Sequence, residues 1–78
     1  MKTKVMIGNV KVGQIYIEKK SEFVYYVESF IYEYDLKDDI YYRVFTLENL
    51  DTGNIVHIAE NILLKHGTLE KWKHYEIA

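Results

Sequence analysis

Apolar residues recur along this chain in short runs with a period of two, the signature of half-buried strands, and one stretch near the C-terminus changes to helical spacing. The longest runs are Glu22–Tyr34 (EFVYYVESFIYEY) and Ile40–Asn49 (IYYRVFTLEN), crowded with β-branched and aromatic residues that suit a pleated surface. Between them, Asp35–Asp39 carries three aspartates and one lysine in five positions, a composition that belongs in a solvated loop. The pattern predicts a long antiparallel hairpin with an acidic tip.

Each arm of that hairpin yields two apolar sets where a half-buried strand has one. Phe23, Tyr25, Val27 and Ile31 share one face of the first arm, and Val24, Tyr26, Phe30 and Tyr32 share the other; in the return arm Tyr41, Phe45 and Leu47 oppose Ile40, Tyr42 and Val44. A domain this small holds one core. Either the strands bend sharply near Ser29 or Thr46, so that each half feeds that core, or one aromatic face is left for a partner.

The remaining elements are shorter. Met1–Ile7 reads as an edge strand or a frayed end, Gly8-Asn9 as a turn, and Gln14–Glu18 as a strand joined to the hairpin through the polar turn Lys19–Ser21. Leu50–Asn54 predicts a tight turn, with Asp51 accepting from the backbone two residues on and Gly53 and Asn54 tolerating positive φ, and it leads into a strand at Ile55–Ile58. Ala59–His66 is the helical stretch: Ile58, Ile62 and Leu63 fall on one helical face, Lys65 and His66 suit a C-terminus, and Gly67 fits the C′ position. Thr68 is expected to cap a second helical turn through Trp72, with Trp72 docked on the core and Lys73–Ala78 as a tail or last strand.

Seventy-eight residues make one domain, which buries about 60 to 65% of the surface its unfolded chain exposes. There is no cysteine to provide disulfides or a thiolate zinc site. No apolar run approaches the length of a membrane span and the N-terminus lacks a signal sequence's apolar region, so a cytoplasmic protein is expected. The net charge of −2 is unevenly spread: residues 1–20 carry +4, residues 21–64 carry −7 and residues 65–78 carry +1. An acidic hairpin repels phosphate, which makes nucleic acid a disfavoured partner, although Lys2, Lys4, Lys11, Lys19 and Lys20 leave the N-terminal end able to touch it.

Catalytic chemistry finds no foothold. There is no glycine-rich phosphate loop and no nucleophile elbow, and neither Ser21 nor Ser29 lies near a histidine in sequence. His57, His66 and His74 are too widely spaced for a local metal clip, and Asp35, Asp38 and Asp39 lack the length and glycine of a calcium loop. A non-enzymatic protein without cofactor or metal is expected.

The order of strand, long hairpin, tight hairpin at Leu50–Asn54 and short helix ending at Gly67 resembles the small barrels of the Src-homology-three, Tudor and KOW kind. Lys11–Tyr16 looks like the opening of such modules, and Leu47–Ile55 like their distal hairpin. The resemblance implies an all-β, strongly bent, antiparallel five-stranded barrel over residues 10–72 with a short helix near the C-terminus, in a family that mostly binds peptides, modified side chains or nucleic acids. In general character the chain also resembles the small early proteins of Gram-positive bacterial phages, which often bind a host factor; nine lysines against one arginine, with many Ile, Tyr and Asn, is a composition common in low-GC bacteria and their phages. That likeness implies a partner in the host cytoplasm that the module inhibits or redirects.

The candidate binding residues are Tyr26, Tyr32, Glu33, Tyr34, Asp35, Asp38, Asp39, Tyr41 and Tyr42. Tyrosine offers large contact area at low entropy cost, and an acidic rim speeds encounter with a basic or groove-bearing protein surface. The rival expectations are a nucleic-acid-binding barrel that uses the lysine-rich N-terminus and a self-associating structural protein, in which the surplus aromatic face pairs with its twin; the chain is then a monomer or a homodimer.

Overall fold

The computed structural model describes residues 4–70. Its strands are β1 (Lys4–Val5), β2 (Ile15–Glu18), β3 (Val24–Asp35), β4 (Ile40–Asn49), β5 (Ile55–Ala59) and β6 (Gly67–Glu70), and the single helix among these residues is α1 (Glu60–His66). The sheet order is β1-β4-β3-β2-β6, with β5 also paired to β4. The predicted hairpin is β3 and β4, in register from Tyr25↔Asn49 to Asp35↔Ile40.

The two apolar sets are explained by a bulge. Register shifts between Val27 and Ser29, so Glu28 is an extra residue and the parity of β3 reverses there. Before the bulge Tyr25 and Val27 turn inward; after it Phe30 does, opposite Phe45 and with its ring 5.3 Å from that residue's. Of the alternatives, a bend near Ser29 or Thr46 or a face left for a partner, the bend is present beside Ser29, and it lets both halves of one strand serve one core. β4 keeps a constant parity, burying Arg43, Phe45, Leu47 and Asn49.

Val10, Tyr16, Tyr25, Val27, Phe45, Leu47 and Leu63 form that core, with Phe30 and Ile58 packed against it. Helix α1 contributes Leu63, while Ile62 stays 45% exposed and Ile58 belongs to β5, so of the predicted helical face of Ile58, Ile62 and Leu63 only Leu63 is a buried helical position. The buried positions of the helix are Glu60 and Leu63, one turn apart.

Four expectations are corrected. The sheet is open and mixed where a closed antiparallel barrel was expected: β1 runs parallel to β4, and among the described residues β5 pairs only with β4 and β6 only with β2. Between β5 and β6 the chain turns into α1, whose Leu63 joins the core. Gly67 is no left-handed cap, since its backbone is extended (φ −161°, ψ −177°). It is small because it opens β6 directly beside Glu18 of the antiparallel β2, where a Cβ would enter the Tyr16 ring and the Ile17 carbonyl. Thr68 begins no second helical turn, because residues 67–70 pair with β2; Trp72 and the 73–78 tail lie outside the described residues. Finally, Asn49 rather than Asp51 organises the distal turn, its Oδ1 accepting from the Asp51 and Thr52 amides at 2.9 and 3.2 Å, while Gly53 takes the positive φ of 76°.

Candidate functional site

The far half of the β3–β4 hairpin leaves the body of the protein. β2 pairs with β3 only at Val24–Tyr26, and β5 pairs with β4 only at Val44–Glu48, so beyond these, among the described residues, the two long strands are flanked by β1 alone. Twelve residues of β3 span about 40 Å, which makes the molecule elongated, with extents of 49 × 22 × 18 Å. The arm carries most of the predicted binding residues and ends in the acidic tip.

Strand alternation divides those residues between two faces. Because the bulge resets the parity, Tyr32 and Tyr34 share a face with Tyr41 and with the core residues Phe30 and Phe45. Tyr32 lies edge-on to Phe30 at 5.6 Å, and Tyr34 and Tyr41 pair across the strands at 5.0 Å. All three tyrosines remain 41–48% exposed. Glu33, Asp35 and Tyr42 occupy the opposite face, where the Tyr42 hydroxyl donates to Glu33 Oε2 at 3.0 Å. Tyr26 lies apart from the rest, at the other end of the hairpin opposite Glu48.

The tip is ordered by its own aspartates. Asp35 Oδ1 accepts from the Lys37 amide at 2.9 Å and the Asp38 amide at 3.3 Å, and Asp39 adopts φ 50° while its Oδ1 accepts from the Tyr34 hydroxyl at 2.6 Å. The bonds to Asp39 and Glu33 push the Tyr34 and Tyr42 phenols up from their ordinary pKa, because the neutral phenol is the donor each carboxylate needs. These rings are held in place while their edges face solvent.

A buried ion pair fixes the base of the arm. Arg43 Nε and Nη2 donate to Glu60 Oε1 and Oε2 at 3.0 and 2.5 Å, and Nη2 also reaches the carbonyls of Gly8 and Val10 at 3.1 and 3.0 Å. Glu60 in turn accepts from the Gly8 and Val10 amides at 2.8 and 3.0 Å. The guanidinium carbon lies 5.0 Å from the Phe30 ring centre and 4.9 Å from that of Phe45. β1 and β5 share one edge of β4 and leave a gap at Tyr42–Arg43, and this cluster closes the gap. Gly8 is required there: a Cβ on it would come within 2.8 Å of the Glu60 carboxylate. Burial opposes ionisation of Glu60, but the bonds from Arg43, Gly8 and Val10 outweigh it and hold the carboxyl below its ordinary pKa.

Next to this cluster lies an open groove of about 700 Å³ between β1, α1 and the outer side of β4. Its walls include Met6, Ile7, Ile40, Tyr42, Ile62 and Leu64, with Asp35 and Asp38 at the tip end. Comparison with protein-family models, curated proteins and solved structures finds no match for this chain.

Sequence reasoning missed Arg43, Glu60 and the groove. One signal pointed to the first: the chain's only arginine stands two residues before Phe45 and four before Leu47, on the parity of the core. Glu60 was legible only as a surface acid. Glu28 and Glu48 were also missed; their carboxyls share a hydrogen bond that, with some burial and mutual repulsion, raises the Glu28 pKa. Among the described residues no group of three or more His, Asp or Glu is placed to hold a metal ion, and no helix is long and apolar enough to cross a membrane.

Proposed function

We propose that this chain is a non-enzymatic protein-interaction module that presents its acidic, tyrosine-rich arm to a basic or groove-bearing protein partner. The supporting observation is the arm itself, a projecting hairpin flanked by the short β1, on which Tyr32, Tyr34 and Tyr41 stay 41–48% exposed although neighbouring rings of the same face enter the core. Rings pre-positioned by cross-strand pairing and by carboxylates lose little entropy on binding, which is what an interface anchor needs. Glu33, Asp35, Asp38 and Asp39 supply a negative field around them.

The connection order adds a second line of support. A meander β2-β3-β4-β5, a short helix and a strand returning to β2 is the order expected of a Src-homology-three-like barrel, here left open, and such folds mostly serve binding. If the chain is phage-encoded, the partner is a host protein that the module inhibits or redirects. The test is association with the captured partner by Tyr34→Ser/Tyr41→Ser protein. Binding should fall at least tenfold with folding retained; undiminished binding overturns the reading.

One observation favours nucleic acid as a second reading. Lys19 and Lys20 lie at the turn before β3, and the Lys19 amide donates to the His66 carbonyl at 2.8 Å, so the last turn of α1 with Lys65 lies close by. This basic end is at the far end of β3 from the acidic tip. Absence of any gel shift with DNA or RNA at low salt disposes of it.

A further inference from the structure

We propose that the partner of this module presents a basic amphipathic segment, whose apolar side chains seat in the groove between β1 and α1 while its lysines or arginines face Asp35 and Asp38. The inference rests on the reading of the arm as a protein-binding element and adds which face of it is used and what chemistry it takes. Three observations carry it.

First, the groove is apolar where a soluble surface would be expected to be polar. Met6, Ile7, Ile62 and Leu64 are 42–64% exposed and converge on one concavity with Ile40. Ile62 and Leu64 are not among the buried positions through which the helix docks, which are Glu60 and Leu63. Second, the charge of the lining has one sign. Arg43 is the only base among the described lining residues, and it is consumed by buried Glu60, so of these residues Asp35 and Asp38 set the potential at the open end. An apolar floor with an acidic rim complements a segment with apolar anchors beside cations and disfavours an acidic one.

Third, the groove is continuous with the arm. Ile40 and Tyr42 belong to both, on the side of β4 opposite Tyr41, so one ligand can lie in the groove and extend along the Glu33–Tyr42 face. The walls are also held at fixed spacing, because the Arg43–Glu60 cluster ties β4, α1 and the Gly8–Val10 segment together. A preformed site costs a ligand less on binding.

The test uses isotope-labelled full-length protein and two synthetic amphipathic peptides, one with a leucine face and a lysine face, the other with glutamate for lysine, followed by amide chemical shifts. The leucine–lysine peptide should shift Ile7, Ile40, Ile62 and Leu64, and the leucine–glutamate peptide should bind at least about tenfold more weakly. Ile62→Asp/Leu64→Asp should abolish the shifts. Asp35→Asn/Asp38→Asn, in which the side-chain amide at position 35 keeps an oxygen acceptor for the tip, should weaken binding about fivefold at low salt. No binding by either peptide, or equal binding by both, overturns the proposal. Shifts confined to Tyr32, Tyr34 and Tyr41 overturn the groove while leaving the arm as the binding element. Loss of partner binding in Tyr34→Ser/Tyr41→Ser but not in Ile62→Asp/Leu64→Asp does the same.

Discussion

Arg43 and Glu60 are joined by two hydrogen bonds within the protein interior, and through them the middle of β4 is fastened to the first residue of α1 and to the backbone at Gly8 and Val10. Neither charge can reach water easily, and Phe30 and Phe45 back the guanidinium. Breaking such a pair from one side strands the other charge, at a cost of about 3–5 kcal/mol. A domain of this length is stable by only about 4–12 kcal/mol. Arg43→Met should therefore bring the protein close to unfolding in urea titration. Replacing both partners, Arg43→Met with Glu60→Leu, should recover part of the loss, since no lone charge remains but the Gly8 and Val10 amides lose their acceptor.

The same pair sets the response to acid. Glu60 has a lower pKa folded than unfolded, so its contribution is complete above the unfolded glutamate value of about 4.3 and is lost as pH falls through the folded value. Stability measured by denaturant should decline below about pH 4. Glu60→Gln should lower stability at pH 7 and flatten that decline.

Glu28 behaves in the opposite sense. Its carboxyl sits at the bulge beside that of Glu48, whose hydrogen bond raises its folded pKa above the ordinary value, so its interaction favours the folded state at low pH and fades as pH rises through the folded pKa. Carbon-detected titration should find the Glu28 midpoint above that of the unfolded peptide. In Glu48→Gln the Glu28 midpoint should move back toward the ordinary range.

Gly67 tests the packing of β6 on β2. Ala at this position meets the Tyr16 ring and the Ile17 carbonyl, and backbone cannot yield as a side-chain tip can. Gly67→Ala should cost about 1–3 kcal/mol as an overpacked site and should raise amide exchange at Ile15–Glu18. A Gly53→Ala control meets no atoms and should lose only the smaller cost of positive φ.

How much of this was readable beforehand follows from the range of each interaction. The hairpin, its acidic tip, the distal turn and the short helix are local, and the β-branched runs, Gly53 and the changed period at Ala59–His66 announced them. Of the two readings that the doubled aromatic pattern left open, a bend is present at Glu28, because a bulge is the local way to reverse strand parity. Closure into a barrel, the parallel seat of β1 and the extended role of Gly67 depend on which edges meet in space, and no local pattern carries that. The candidate site was legible as a set of residues but not as two faces: one extra residue at Glu28 decides that Tyr34 sides with Phe30 and that Glu33 sides with Tyr42. Arg43 and Glu60 lie 17 positions apart, and only the fold unites them.

The central claim is that the tyrosines of the arm are a surface and not a support for the fold. Thermal melting of Tyr34→Ser/Tyr41→Ser protein tests it most directly. Loss of one exposed cross-strand ring pair should cost about 1 kcal/mol and lower the midpoint by about 4–8 °C, with the transition still cooperative. A loss of about 3 kcal/mol or more, as expected for large core truncations, would contradict the account by placing those rings in the structural core.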